Sequence, residues 1–175
     1  MDHSLFCEYN RVILKPFTVV DCERMRVLRN LNRKWFVYSE EISIEEQNIW
    51  FQKYQKHNND LMFSVFHKKS NLWIGAVSLY DIYARQAEFG RLLIDGDSVN
   101  ERKLGLDTTI CTCKIGFKQL NLLLIKLEVF TNNIAAIKTY EKAGFISIGN
   151  LLIEDGRELI LMELTQEKFM KGAAE

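Results

Sequence analysis

Residues 97–116 read DSVNERKLGLDTTICTCKIG, and a strand, a basic turn and a helix meet around this stretch. The apolar run from Phe89 to Ile94 feeds it. The segment Arg102-Lys103-Leu104-Gly105-Leu106-Asp107 forms the turn, and Thr108 onward opens a helix. Gly105 lacks a side chain and Arg102 and Lys103 flank it, so the turn can aim several backbone N–H groups at one anion, with the helix dipole adding to the attraction. An ordinary strand-to-helix connection with solvated basic residues fits the same letters, so the surrounding chain has to decide.

Upstream, Arg11 to Phe17 (RVILKPF) reads as a first strand closed by the only proline. Asp21 can cap a helix whose Met25, Leu28 and Leu31 recur about every three residues. After a loop carrying Trp35 and Tyr38, Ser43-Ile44-Glu45-Glu46 is a capping box, and Gln47, Trp50, Phe51 and Tyr54 share one helical face. From Leu61 the period shortens: LMFSVFH and NLWIGAVSLY flank the polar turn Lys68–Asn71 as a hairpin, and Ala87 to Ile94 adds a third strand. Downstream, Leu122 to Phe130 (LLLIKLEVF) is apolar almost throughout and is expected at the centre of the sheet. Asn133 starts a helix with Ala136, Ile137 and Tyr140 on its face, Gly144 stops it, and Asp155-Gly156 joins two last strands. The reading is one α+β domain over residues 1–175.

Lys+Arg and Asp+Glu both total 23, so no overall basic field favours nucleic acid or a membrane surface, and any anion site must be local. The N-terminus MDHSLFCEYN has neither a basic nor an apolar leader region, and no apolar run reaches the length of a bilayer span, so a cytoplasmic protein is expected. Cys7, Cys22, Cys111 and Cys113 lack metal-site spacing and are expected as reduced thiols, with no metal. His3, His57 and His67 are scattered and read as solvated. The C-terminal hairpin leaves a sheet edge, so a homodimer is expected.

The turn RKLGLD, followed by NIAAIKTYEKAGF with Asn133, Ala136, Tyr140, Gly144 and Phe145 at their spacing, resembles the GCN5-related N-acetyltransferase (GNAT) family. That resemblance implies a mixed, mostly antiparallel sheet of about seven strands flanked by about four helices, splayed at the cofactor site. It implies acetyl-coenzyme A as cosubstrate, with its pyrophosphate on the amides from Leu104 to Thr108, beside Arg102 and Lys103. Its pantetheine arm would run between Phe89–Ile94, including Leu92, Leu93 and Ile94, and Leu123–Phe130, near Asn133 and Ala136. Tyr140 matches the family's general acid, and a packed ring on a helical face is the alternative. Glu88 is the candidate base, direct or through water, with a plain sheet-edge carboxylate as the alternative. Asp107 departs from the family's Gly or Ala and would repel a pyrophosphate unless it turned to solvent. For the acceptor, Arg29, Trp35 and Tyr38 resemble the branch acting on ribosomal proteins, polyamines and nucleotide-linked amino sugars. A small-molecule amine, most of all a nucleotide-linked 4-amino sugar stacked on Trp35 and Tyr38, is the expected partner. Two rings that merely pin their loop would look the same, and a non-catalytic coenzyme-binding module is the rival from another class.

Overall fold

The structure is a computed structural model and describes residues 3–172. Its strands are β1 (Cys7–Tyr9), β2 (Val12–Pro16), β3 (Leu61–His67), β4 (Trp73–Tyr83), β5 (Gln86–Ile94), β6 (Leu124–Phe130), β7 (Ile146–Leu152) and β8 (Glu158–Thr165). The α-helices are α1 (Val19–Leu31), α2 (Ile44–Tyr54), α3 (Leu104–Lys114), α4 (Ile134–Ala143) and α5 (Gln166–Gly172). They build one sheet in the order β1-β2-β3-β4-β5-β6-β8-β7. Neighbours from β1 to β5 are antiparallel and follow chain order, β5 and β6 are parallel, and β8 lies between β6 and β7. Sequence reading missed β1 and α5, which are too short to show a period.

Helices cover both faces, which is why β3 is buried at nearly every position. Phe63 and Val65 pack with Phe89, Ile125, Leu127 and Phe117 against α3 and α4. Met62, on the opposite side of the pleat, packs with Phe17, Met25, Phe51 and Tyr54 under α1 and α2. The edge strand β7 is exposed along its length.

Local chemistry sets the helix ends. Thr18, not Asp21, caps α1: Asp21 stands three positions on and its carboxylate accepts from the Thr18 N–H at 3.1 Å and hydroxyl at 2.7 Å. Ser43 and Glu46 form the expected reciprocal box on α2. At α4, the Asn133 side chain accepts from the Ala136 N–H at 3.2 Å, and Gly144 (φ 102°) closes the helix in the left-handed conformation. Asn133→Ala should therefore cost about 1 kcal/mol, read by denaturant unfolding as a lower midpoint with unchanged slope. An unchanged midpoint would show that water replaces the cap without loss.

His67 corrects the expectation of a solvated histidine. It is 6% exposed at the end of β3, with Nε2 at 2.6 Å from Glu101 Oε2 and Nδ1 at 2.8 Å from Ser70 Oγ. The four cysteines are free thiols.

Candidate active site

The parallel pair β5/β6 runs for only three positions: Gln86 faces Leu124, Ala87 faces Ile125 and Glu88 faces Lys126. Beyond them β6 stays paired with β8, while β5 follows β4 through a register shift near Gly90 and Arg91, the latter at φ 51°. Such a bulge bends one strand away from its neighbour. The two strands separate around a cleft of about 310 Å³. Leu92, Leu93 and Ile94 line one wall, Glu128, Val129 and Phe130 the other, and Asn133, Ala136 and Tyr140 of α4 the floor. Trp35 and Phe36, from the loop after α1, close the mouth.

Tyr140 is 8% exposed, and its ring sits edge-on to Phe89 at 5.7 Å and Phe145 at 6.1 Å. Its hydroxyl has no hydrogen-bond partner among the described residues, although the residue lines the cleft. Burial pushes its pKa up to about 12, with the neighbouring Tyr80 adding to the shift. It therefore carries its proton at every physiological pH.

Glu88 lies at the last rung of the parallel pair, opposite Tyr80 on β4. Burial raises its pKa, and the nearby Glu128 carboxylate raises it further. Glu128, which sequence reading passed over, lines the cleft itself. The signal for it was a charge inside the apolar run LLLIKLEVF: Lys126 and Glu128 sit on the face of β6 opposite Ile125, Leu127 and Val129. Arg91 was missed too. It holds Asp60 by Nη1 at 2.6 and 2.8 Å and lies over the Tyr80 ring at 4.5 Å and nearer α2 the Trp50 ring at 5.7 Å.

Past the cleft, Arg102 and Lys103 are exposed and make no ion pair among the described residues. Lys103 precedes α3 in the left-handed conformation (φ 66°). The Asp107 N–H already donates to the Lys103 carbonyl at 3.0 Å, so the helix has engaged its own amides by that position. The free donors are thus those of residues 103–106, and the expected range of 104–108 shifts back. Leu104 and Thr108 are buried, Thr108 facing the core rather than solvent.

Asp107 overturns the expected repulsion by a route the sequence did not suggest. It is 1% exposed and turns inward, where Oδ2 accepts from Arg11 Nε at 2.5 Å and Oδ1 from Asn10 Nδ2 at 3.3 Å. Neutralised there, it neither reaches solvent nor points at an anion on the helix end.

Arg29 is corrected as well. It is 4% exposed, and its guanidinium donates to the carbonyls of Tyr38 and Glu40, fixing the loop before α2, and it lines a second cavity rather than the cleft. Tyr38 lines a separate cavity of about 400 Å³ between α1 and α2, which meets the cleft at Phe36 and Arg91. Of the three expected acceptor residues, only Trp35 lines the cleft.

Residues 11–146 match the acetyltransferase (GNAT) domain family. The chain belongs to that family. GNAT proteins of solved structure superpose over nearly all of it. The spermidine N-acetyltransferase of Vibrio cholerae, in complex with CoA and spermine, aligns with a TM-score of 0.82 at 24% identity, over 91% of this chain and 98% of that one. FdhC, a nucleotide-linked sugar GNAT, aligns at 0.81 and 20%, over 98% and 96%. A GNAT-family acetyltransferase from Bacillus anthracis aligns at 0.77 and 16%, over 93% and 99%. No curated protein matches the chain in sequence. Identities this low establish the shared fold. Family membership makes the chain an N-acetyltransferase with acetyl-coenzyme A as donor, and the residues fit that donor: free first-turn amides beside two unpaired cations suit a diphosphate, and the apolar stretches Leu92–Ile94 and Val129–Phe130 suit a slender chain.

Proposed function

We propose that this GNAT protein acetylates a primary amine on a small molecule by direct transfer from acetyl-coenzyme A. The observation that carries the reading is an unpartnered, proton-bearing tyrosine hydroxyl on the floor of a cleft between splayed strands. Residues 102–106 hold the diphosphate end of the donor, and the walls around Leu92–Ile94 and Val129 receive its arm. The donor supplies an acetyl group already activated as a thioester. Glu88, directly or through a water, takes a proton from the acceptor's ammonium, so that the nitrogen lone pair can attack the acetyl carbonyl. Tyr140 gives its proton to the sulfur as the C–S bond breaks, and the second proton, lost from the nitrogen as the amide forms, restores the phenol.

For the acceptor, a nucleotide-linked amino sugar is the preferred reading. Trp35 stands 36% exposed at the mouth beside Phe36, a half-open aromatic wall suited to a sugar or base face. One observation favours a second reading, a polyamine: Glu88 and Glu128 put two carboxylates on the side of the sheet where the amine arrives, and a flexible polycation gains from both. Free-thiol release should be measured with amino-sugar nucleotides, polyamines, aminoglycosides and peptide N-termini in parallel. Turnover on the amino-sugar nucleotides, with Trp35→Ala raising their KM about 10-fold and leaving kcat near normal, is the expected result. Turnover confined to polyamines would replace the sugar reading, turnover confined to peptides would end both, and CoA binding with no acceptor would favour a non-catalytic module.

A further inference from the structure

Two carboxylates bracket the anion-binding turn: Glu101 immediately before it and Asp107 one residue after its last free amide. Left unpaired, each would oppose a diphosphate bound there. Both are held by hydrogen-bond donors from one corner of the sheet. Arg11 and Asn10 take Asp107, His67 takes Glu101, and Glu101 also acts on the Arg11 charge. The corner is tied together by backbone pairing. Val12 pairs with His67 across β2 and β3, and the Lys68 N–H donates to the Arg11 carbonyl at 2.7 Å.

We propose that Arg11 is a positioning residue for the donor, far from the reacting atoms: by holding Asp107 inward and neutralised it keeps the first turn of α3 electrostatically open to a diphosphate. Asp107 is then the buried half of an ion pair whose other half, the Arg11 side chain, is 31% exposed. The inference rests on acetyl-coenzyme A being the donor. Asp107 cannot be solvated where it lies, so loss of Arg11 leaves a buried negative charge one residue from the amides that the donor's diphosphate needs.

The test compares acetyl-coenzyme A with S-acetyl-pantetheine, which carries the same thioester and lacks the diphosphate and nucleotide. Arg11→Met should raise KM for acetyl-coenzyme A, and Kd for CoA by calorimetry, by about 10–100-fold, with kcat at saturation within about twofold. KM for S-acetyl-pantetheine should stay unchanged. Adding Asp107→Asn to Arg11→Met should bring acetyl-coenzyme A back to within about threefold of wild type, because no charge is left unpaired. An equal rise in KM for both donors, or a lower melting temperature with unchanged CoA affinity, would mean that Arg11 only stabilises the fold. Should Arg11→Met not fold, Asp107→Asn alone decides: CoA affinity at or above wild type supports the proposal, and a 10-fold loss overturns it. A wild type that binds no CoA refutes the donor reading itself, a result distinct from all of these.

Discussion

Tyr140→Phe should lower kcat by about 10²–10⁴-fold while the protein remains folded and binds CoA as before, because one proton is removed and nothing else moves. The ring contributes its packing against Phe89 and Phe145, and phenylalanine keeps that packing. The hydroxyl has no partner among the described residues, so its removal strands no buried group. A thiolate leaving without a proton donor has to take one from water instead of from a positioned group, and the rate falls. With the pKa near 12, the wild-type donor stays protonated across the working range, so no loss of activity on the alkaline side is due to Tyr140 below about pH 11. The variant is to be assayed at saturating acceptor, with chemistry shown to limit turnover by single-turnover measurement. Retention of more than about a third of wild-type kcat would remove Tyr140 from the mechanism and leave it a packing residue.

Glu88→Gln is the second large effect, expected at about 10²–10⁴-fold in kcat/KM, with the acid limb of the pH profile abolished. The sign follows from its surroundings. Burial first and Glu128 second raise the Glu88 pKa, so the base is protonated and idle at acid pH, and activity rises as the pH passes a value above the usual carboxylate range. The same shift predicts stability. A carboxyl whose folded pKa is raised favours the fold below its unfolded pKa and loses that contribution as the pH rises through the folded value. Glutamine has no charge to bury, so the variant's melting temperature should gain on wild type from acid to neutral pH. Slower and no less stable is a combination that a purely structural carboxylate does not give. Glu128→Gln should be run beside it, since Glu128 lines the cleft: if it takes the acid limb away and Glu88→Gln does not, the base is Glu128.

What the sequence disclosed was local. The basic turn, the Asn133 cap, Gly144 and the placing of Tyr140 on the helix face all depend on neighbours within a turn or two, where spacing and geometry are the same thing. Glu88 was singled out by the family resemblance, as a carboxylate on the strand that flanks the acceptor site. What stayed hidden depends on partners far along the chain. Asp107 and Arg11 are 96 positions apart, and no period connects them. Arg29 was placed with the acceptor by resemblance alone, and its true partners are loop carbonyls, which every residue has. His67 read as solvent-facing because Glu101, 34 positions on, is what buries it usefully. Glu128 was overlooked for a different reason: in LLLIKLEVF a run of apolar letters outweighs the two charges, Lys126 and Glu128, that break it.

The brevity of the β5/β6 pairing also shapes how the nascent chain is assembled. Strands β1 to β5 are sequential antiparallel neighbours and can zip together as they leave the ribosome, but β6 arrives only after α3, and β8, which flanks β6, comes almost last. At ordinary rates of synthesis the half-sheet waits on the order of several seconds with β5 as its open edge. That edge is poorly suited to capturing a stray strand. Its outward stretch bends at the bulge and carries Glu88 and Arg91, and charge and curvature both discourage edge-to-edge association. The features that part the strands for a ligand in the finished protein thus guard the unfinished one against aggregation.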